Sequence, residues 1–294
     1  MSAKEFDVIV YGATGFTGRL VAEHLLKTYG AEGQVRWAMA GRDLAKLRAV
    51  AAEIGAPAGV PLIEANARDA ASLEALAKRA RTIITTVGPY QLYGEPLLVA
   101  CVKVGTDYVD LCGEPNWMQA MIAKYDAAAK QSGARIVFSC GFDSIPFDCG
   151  VWFLQSQARE RFGAPAQSVR GRVRKMKGTF SGGTLASMLA TLDASKRDPS
   201  IGAAMLDPFA LSPARGAEQP KGDAVIEDGD IGSWAAPFVM AAINTKNVHR
   251  TNALAGYPYG RDFTYDEMMM TGGGADGQSA RAACSANRAR RTLC

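Results

Sequence analysis

The sequence predicts an α/β chain: a doubly wound parallel sheet over residues 1–145, then a smaller α+β domain over 146–270. Three observations carry that expectation. A short apolar strand runs through a glycine-rich turn into an amphipathic helix at the start of the chain. Strand and helix patterns then alternate without a break to about residue 145, the signature of a parallel sheet covered on both faces. Beyond that point the rhythm changes to polar alternation, Pro/Gly-rich stretches and an aromatic cluster.

The first strand is the apolar run Val8, Ile9, Val10, reading as buried on both faces. It enters the turn Gly12-Ala13-Thr14-Gly15-Phe16-Thr17-Gly18, after which Leu20, Val21, His24, Leu25 and Tyr29 recur at helical spacing. Strand, glycine turn and helix form the context of a dinucleotide-binding fingerprint, here with GxxGxxG spacing. Gly12 lets the chain turn off the strand, Gly15 leaves room for a pyrophosphate, and Gly18 lets the helix pack closely on the sheet. The helix N-terminus offers unpaired N–H groups to the phosphates. The whole turn is therefore assigned to cofactor binding.

A second strand over 35–40 leads into Gly41-Arg42-Asp43. Asp43 caps the helix over 44–54. Arg42 follows the strand end, where a guanidinium suits the 2′-phosphate of NADP, so NADPH is expected over NADH. A third strand over 61–65 places Asn66 on the adenine side, and Asp69 caps the helix over 70–80. The fourth strand, over 81–87, is rich in β-branched residues and ends in Val87-Gly88-Pro89-Tyr90. Strand ends face the ligand crevice, so this segment borders the cofactor. Tyr90 either faces the nicotinamide or is a packed aromatic. A fifth strand over 106–110 precedes a helix opened by Pro115, with Trp117, Met121, Ile122 and Tyr125 inward. The sixth strand, over 135–139, runs into Cys140-Gly141-Phe142-Asp143-Ser144. Asp143 and Ser144 either line the substrate or cap the helix that Pro146 begins.

In the second part, alternation over 168–177 puts Arg170, Arg172 and Arg174 on one face of a strand. That face reads as the solvated side of an antiparallel sheet, or as a dock for an acidic carrier or phosphate-bearing thioester. A helix following Gly182-Gly183-Thr184 turns Leu185, Met188, Leu189 and Leu192 inward. The apolar stretch over 234–243 reads as a buried strand or short core helix. The tail over 271–294, rich in Gly and Arg, is expected to be disordered, truncated or frameshifted.

Composition excludes several classes. A net charge of +4 is too mild for a nucleic-acid partner. No apolar run approaches the ~20 residues that span a bilayer, and no leader opens the chain. The six cysteines form no CxxC pair and only two histidines are present, so a cytoplasmic protein with free thiols and no metal is expected.

The segments YGATGFTG, AGR, TTVGPY, YVDLCGE and CGFDSIPFD, in this order, resemble the saccharopine dehydrogenase-like oxidoreductases. Within them the chain most resembles the group containing the trans-acting enoyl reductases of bacterial lipid synthesis. The resemblance runs from Phe6 to Glu267 and draws its later support from TLASMLA and YGRDFTYDEMM. It implies a Rossmann domain, an inserted α+β domain and NAD(P)-dependent reduction, and it carries the nucleotide role onto Gly12, Gly15, Gly18 and Arg42. It carries no catalytic acid. Related chains continue beyond the YDEMM segment. The Tyr-x-x-x-Lys pair of extended short-chain dehydrogenases is missing: Ala129 stands four residues after Tyr125, and Lys130 is one place too far.

The expected function is an NADPH-dependent enoyl reductase acting in trans on a small-molecule or carrier-bound lipid or polyketide thioester. Tyr90 and Asp143 are its candidate catalytic residues. The alternatives are a saccharopine-type imine reductase or amino-acid dehydrogenase, for which the Arg170-Arg172-Arg174 face would hold carboxylates, and a nucleotide-binding scaffold without turnover. The assembly state stays open, a homodimer included.

Overall fold

A computed structural model describes residues 4–177 and 182–273. Among these, two compact units form, one of residues 4–141 with 182–199 and one of 142–177 with 200–273.

The first unit opens with β1 (Phe6–Tyr11), α1 (Phe16–Tyr29), β2 (Trp37–Gly41), α2 (Leu44–Glu53), β3 (Leu62–Glu64), α3 (Ala70–Arg79) and β4 (Ala80–Thr85). It continues with α4 (Tyr90–Tyr93), α5 (Glu95–Val104), β5 (Asp107–Val109), α6 (Pro115–Ser132) and β6 (Ile136–Val137). The strands lie in the order β3-β2-β1-β4-β5-β6, all parallel. This is the doubly wound Rossmann order, which reverses beside β1 and opens a crevice at the carboxyl ends of the strands. Val10, Trp37, Met39 and Leu47 are buried between the sheet and α1 and α2. Asp43 caps α2 by accepting from Lys46 N at 3.0 Å, and Asp69 caps α3 by accepting from Ala71 N and Ser72 N.

Strands β2 to β6 are each shorter than the sequence pattern that predicts them. β6 pairs only over Ile136–Val137 because Ser139 adopts φ 58° and its N–H turns to the Asp110 carboxylate at 2.9 Å. The same carboxylate accepts from Cys112 N and from the Tyr108 hydroxyl, each at 2.9 Å. Complete burial pushes it up to about 7 against those hydrogen bonds.

The chain then enters α7 (Ile145–Phe162) and β7 (Ser168–Val173). Ser144 stands at the N-cap of α7, but its side chain makes no capping bond. Of the two readings for Ser144, side-chain capping of α7 is not the one the structure shows. Helix α8 (Gly182–Arg197) packs with the first unit. Leu185, Met188, Leu189 and Leu192 on it are exposed rather than inward. Two side-chain hydrogen bonds tie it to the unit: Ser187 Oγ donates to Glu114 Oε1 at 2.8 Å and Gln91 Nε2 donates to Thr191 Oγ1 at 3.2 Å.

The second unit continues with α9 (Pro199–Leu206), β8 (Ile226–Asp228), β9 (Ser233–Pro237), α10 (Ala241–Leu254) and β10 (Thr264–Gly272). Its sheet runs β7-β10-β9-β8, with β7 and β10 parallel and the other pairs antiparallel. Val151, Val169, Val248, Tyr259, Phe263 and Tyr265 form its core. The arginine face of β7 is neither antiparallel to its neighbour nor solvated throughout. Arg172 is buried between Asp228 at 2.8 Å and Asp266 at 3.1 Å, and Arg170 pairs with Asp228 and Asp230. Arg174 lies past the end of the strand. The expected tail begins inside β10 at Thr271, and its residues 274–294 lie outside the described residues. Among the described residues no helix is long and apolar enough to cross a membrane.

Candidate functional site

One cleft of about 310 Å³ lies on the first unit. It is lined by Asn66, Ala67 and Arg68 after β3, Gly41 and Arg42 at the end of β2, and Tyr11, Gly12, Thr14 and Gly15 at the end of β1. Thr86, Val87 and Gly88 after β4, and Tyr93 on α4, complete it. The cleft thus crosses the carboxyl ends of four neighbouring strands in the order β3, β2, β1, β4.

The glycine turn is built for close approach. Gly12 has φ +89°, and a Cβ there would lie 2.7 Å from Val87 Cγ2 and 2.8 Å from Thr86 Oγ1. At Gly18 a Cβ would fall onto the Gly12 carbonyl oxygen, so only glycine lets α1 start this near the strand end. Gly15 stands at the N-cap of α1 with no side chain to cap it, and the first turn carries no acid. The helix N–H groups and its positive dipole end are left for an anion.

Charge is concentrated at the other end of the cleft. Elsewhere on this unit Arg36 and Arg81 pair with Asp7, Arg79 with Glu5, and Arg135 with Asp107. Arg42 and Arg68 are exposed, and no carboxylate among the described residues pairs with either. Asn66 Oδ1 accepts from Arg68 N at 3.0 Å, tying the loop after β3 into a tight turn. Burial pushes the Tyr11 phenol up to about 12, with the Arg42 charge working against it.

Of the residues singled out in the sequence, Gly12, Thr14, Gly15, Arg42, Asn66, Val87 and Gly88 come together on this cleft. Ala13, Phe16, Thr17, Gly18 and Pro89 do not line it; Ala13 is fully buried beneath the turn and Phe16 is exposed on α1. Tyr90 does not line it either, being 3% exposed. Its hydroxyl donates to Thr85 O at 3.1 Å and accepts from Leu111 N at 3.3 Å, and its ring packs 5.6 Å from that of Trp117. Burial and the nearby Asp110 carboxylate raise its phenol well above the ordinary range. Asp143 belongs to the second unit, where its carbonyl accepts from Asn244 Nδ2 at 3.0 Å. The sequence reading passed over Tyr11, Gly41, Ala67, Arg68 and Tyr93. For Tyr93 the missed signal was its place one helical turn after Tyr90; for Arg68, its place two residues after Asn66.

A family model described as the saccharopine dehydrogenase NADP binding domain matches residues 8–137. Residues 8–137 are thus an NADP-binding domain of the saccharopine dehydrogenase type. All the lining residues of the cleft fall within the matched segment, so the cleft lies on this NADP-binding domain. The turn fits NADP on its own geometry: a cradle that a Cβ at Gly12 or Gly18 would fill, an uncapped helix start, and guanidinium groups with no carboxylate partner among the described residues.

A Mycobacterium tuberculosis protein named provisionally as a trans-acting enoyl reductase is 44% identical over 279 residues, covering 92% of this chain and 66% of that protein. The trans-acting enoyl reductases of Mycobacterium bovis and Mycobacterium leprae are each 40% identical over 280 residues, with the same shares. The chain thus spans just under two thirds of the length of the curated relatives it matches. Among solved structures, saccharopine dehydrogenase from Saccharomyces cerevisiae aligns over 57% of this chain and 34% of its own, with 17% identity and a TM-score of 0.40.

Proposed function

We propose that the protein is an NADPH-dependent enoyl reductase acting in trans on a lipid-like or polyketide thioester. The observation that supports this most directly is the cleft across β3, β2, β1 and β4 on an NADP-binding domain. The names of relatives at 40–44% identity point to the same chemistry. In this reading Arg42 grips the adenosine 2′-phosphate and Asn66 borders the adenine. The turn from Gly12 to Gly18 and the start of α1 hold the pyrophosphate. Val87 and Gly88 border the nicotinamide, with Pro89 shaping that segment from behind. When bound, the reduced nicotinamide supplies a hydride to the β-carbon of an α,β-unsaturated thioester. The chain's own part is to orient the two reactants and to stabilise charge on the thioester oxygen. Tyr90 serves as a support rather than a proton donor, because its hydroxyl is held by Thr85 and Leu111. The substrate is proposed to arrive carrier-bound, within lipid metabolism and in the cytoplasm.

Oxidation of NADPH, followed by absorbance with a panel of enoyl thioesters, tests the reading. Reduction of at least one of them at the expense of NADPH is expected. Cofactor binding with no oxidation across the panel would leave a nucleotide-binding scaffold instead.

A further inference from the structure

We propose that Tyr93 is the hydrogen-bond donor that holds the thioester carbonyl oxygen at the β4 end of the cleft. The inference rests on the enoyl reductase reading and gives that site its missing polar group.

The argument begins with how α4 is fixed. This single turn starts right after the β4 end, and its first two N–H groups are held by one buried carboxylate: Tyr90 N donates to Glu114 Oε1 and Gln91 N to Glu114 Oε2, each at 2.8 Å. Tyr90 then drives its ring into the core against Trp117. Three residues on, Tyr93 projects from the same anchored turn but lines the cleft with Val87 and Gly88. It is 38% exposed, and its hydroxyl has no partner among the described residues. Of the two phenols in this segment, one is engaged by the fold and the other is available to a ligand.

The position suits the chemistry. Arg42 and Arg68 mark the adenosine end of the cleft and the glycine turn its middle, which leaves the β4 end for the nicotinamide and the group it reduces. Gly88 has no side chain to exclude a substrate there. Thr86, the neighbouring hydroxyl, is not available, since its Oγ1 donates to Gly12 O at 3.2 Å. As the β-carbon is reduced, the electron pair of the double bond moves onto the thioester oxygen; it returns to the α-carbon when that carbon takes a proton from solvent. Tyr93 donates a hydrogen bond to the oxygen throughout and keeps its own proton. A fixed donor aimed at developing charge is the kind of group whose removal is felt in turnover rather than in cofactor affinity.

The test uses Tyr93→Phe and Tyr90→Phe with trans-2-octenoyl N-acetylcysteamine labelled with ¹³C at the carbonyl. In the complex with NADP+, where no reduction occurs, infrared spectroscopy should place the bound carbonyl at lower frequency in the wild-type protein and in Tyr90→Phe than in Tyr93→Phe. Turnover with NADPH should fall about 100-fold in Tyr93→Phe, with NADPH affinity unchanged. An unmoved carbonyl band and full turnover in Tyr93→Phe would overturn the assignment while leaving the reductase reading intact. A wild-type protein that binds NADPH yet neither shifts nor reduces the thioester would overturn both.

Discussion

Ser187 Oγ donates a 2.8 Å hydrogen bond to Glu114 Oε1, across 73 residues of sequence. The same carboxylate accepts the N–H groups of Tyr90 and Gln91, so one buried side chain ties α8 and α4 to the loop after β5. Charge-assisted bonds of this kind are stronger than neutral ones. Glu114→Gln would turn an amide NH₂ toward a donor it cannot accept from. The variant should lose about 1–3 kcal/mol of stability, read as a lower urea midpoint. An unchanged midpoint would mean that the carboxylate does not hold these segments together.

The three glycines of the turn should separate by experiment. Gly18→Ala sets a methyl against the Gly12 carbonyl and should fold poorly. At Gly15 a Cβ meets the Gly12 carbonyl at 3.3 Å, a contact that a shift of a few tenths of an ångström relieves. Gly15→Val should therefore keep its circular dichroism and lose NADPH binding, because the side chain stands on the cleft where phosphate must approach. Retained NADPH binding in Gly15→Val would place the pyrophosphate elsewhere.

Arg42 and Arg68 both line the cleft with no carboxylate partner among the described residues, and their effects should be distinguishable by cofactor. A hydrogen bond to a charged group contributes about 1.5–3 kcal/mol, or roughly 10–100-fold in affinity. Arg42→Ala should weaken NADPH by that factor and NADH hardly at all, since only NADPH carries the 2′-phosphate. Arg68→Ala should show the same selectivity if its guanidinium reaches the phosphate, and an equal loss for both cofactors if it stacks on the adenine. Titration of both cofactors against both variants decides it; equal losses in Arg42→Ala would remove the 2′-phosphate role.

What the sequence made legible was local. The strand, glycine turn and helix at the N-terminus, the caps at Asp43 and Asp69, and Arg42 at the end of β2 all depend on neighbours within a few residues. What it hid depends on distant partners. Spacing places Tyr90 and Tyr93 on one turn, but Trp117 and Leu111 determine which of them goes inward. Alternation put Arg170 and Arg172 on a common face, but their acids lie on β8 and β10 and in the loop after β8. The stripe on α8 shows that its leucines share a face; periodicity carries no information on whether anything covers it.

Lys246 gives the second unit a pH dependence whose sign can be worked out. It is 1% exposed on α10, and its ammonium donates to Met205 O at 2.9 Å and Ala242 O at 2.8 Å, with no carboxylate in hydrogen-bond contact among the described residues. Burial pushes it down from 10.5 to about 8, Asp207 pulling the other way. Between those two values the unfolded chain holds a proton that the folded chain has released, so stability rises with pH across that window. Below about 8 both states are protonated and the cost of burying the ammonium is fully present. His249, a buried titratable group nearby, is pushed down to about 4 and is neutral throughout the window. Lys246→Met keeps much of the side chain's bulk and removes the charge. Relative to wild type it should be at its most favourable near pH 8 and lose that advantage by about 3 kcal/mol toward pH 10.5. Urea midpoints for both proteins across that range check it; parallel pH profiles would show that Lys246 is not held in its depressed state.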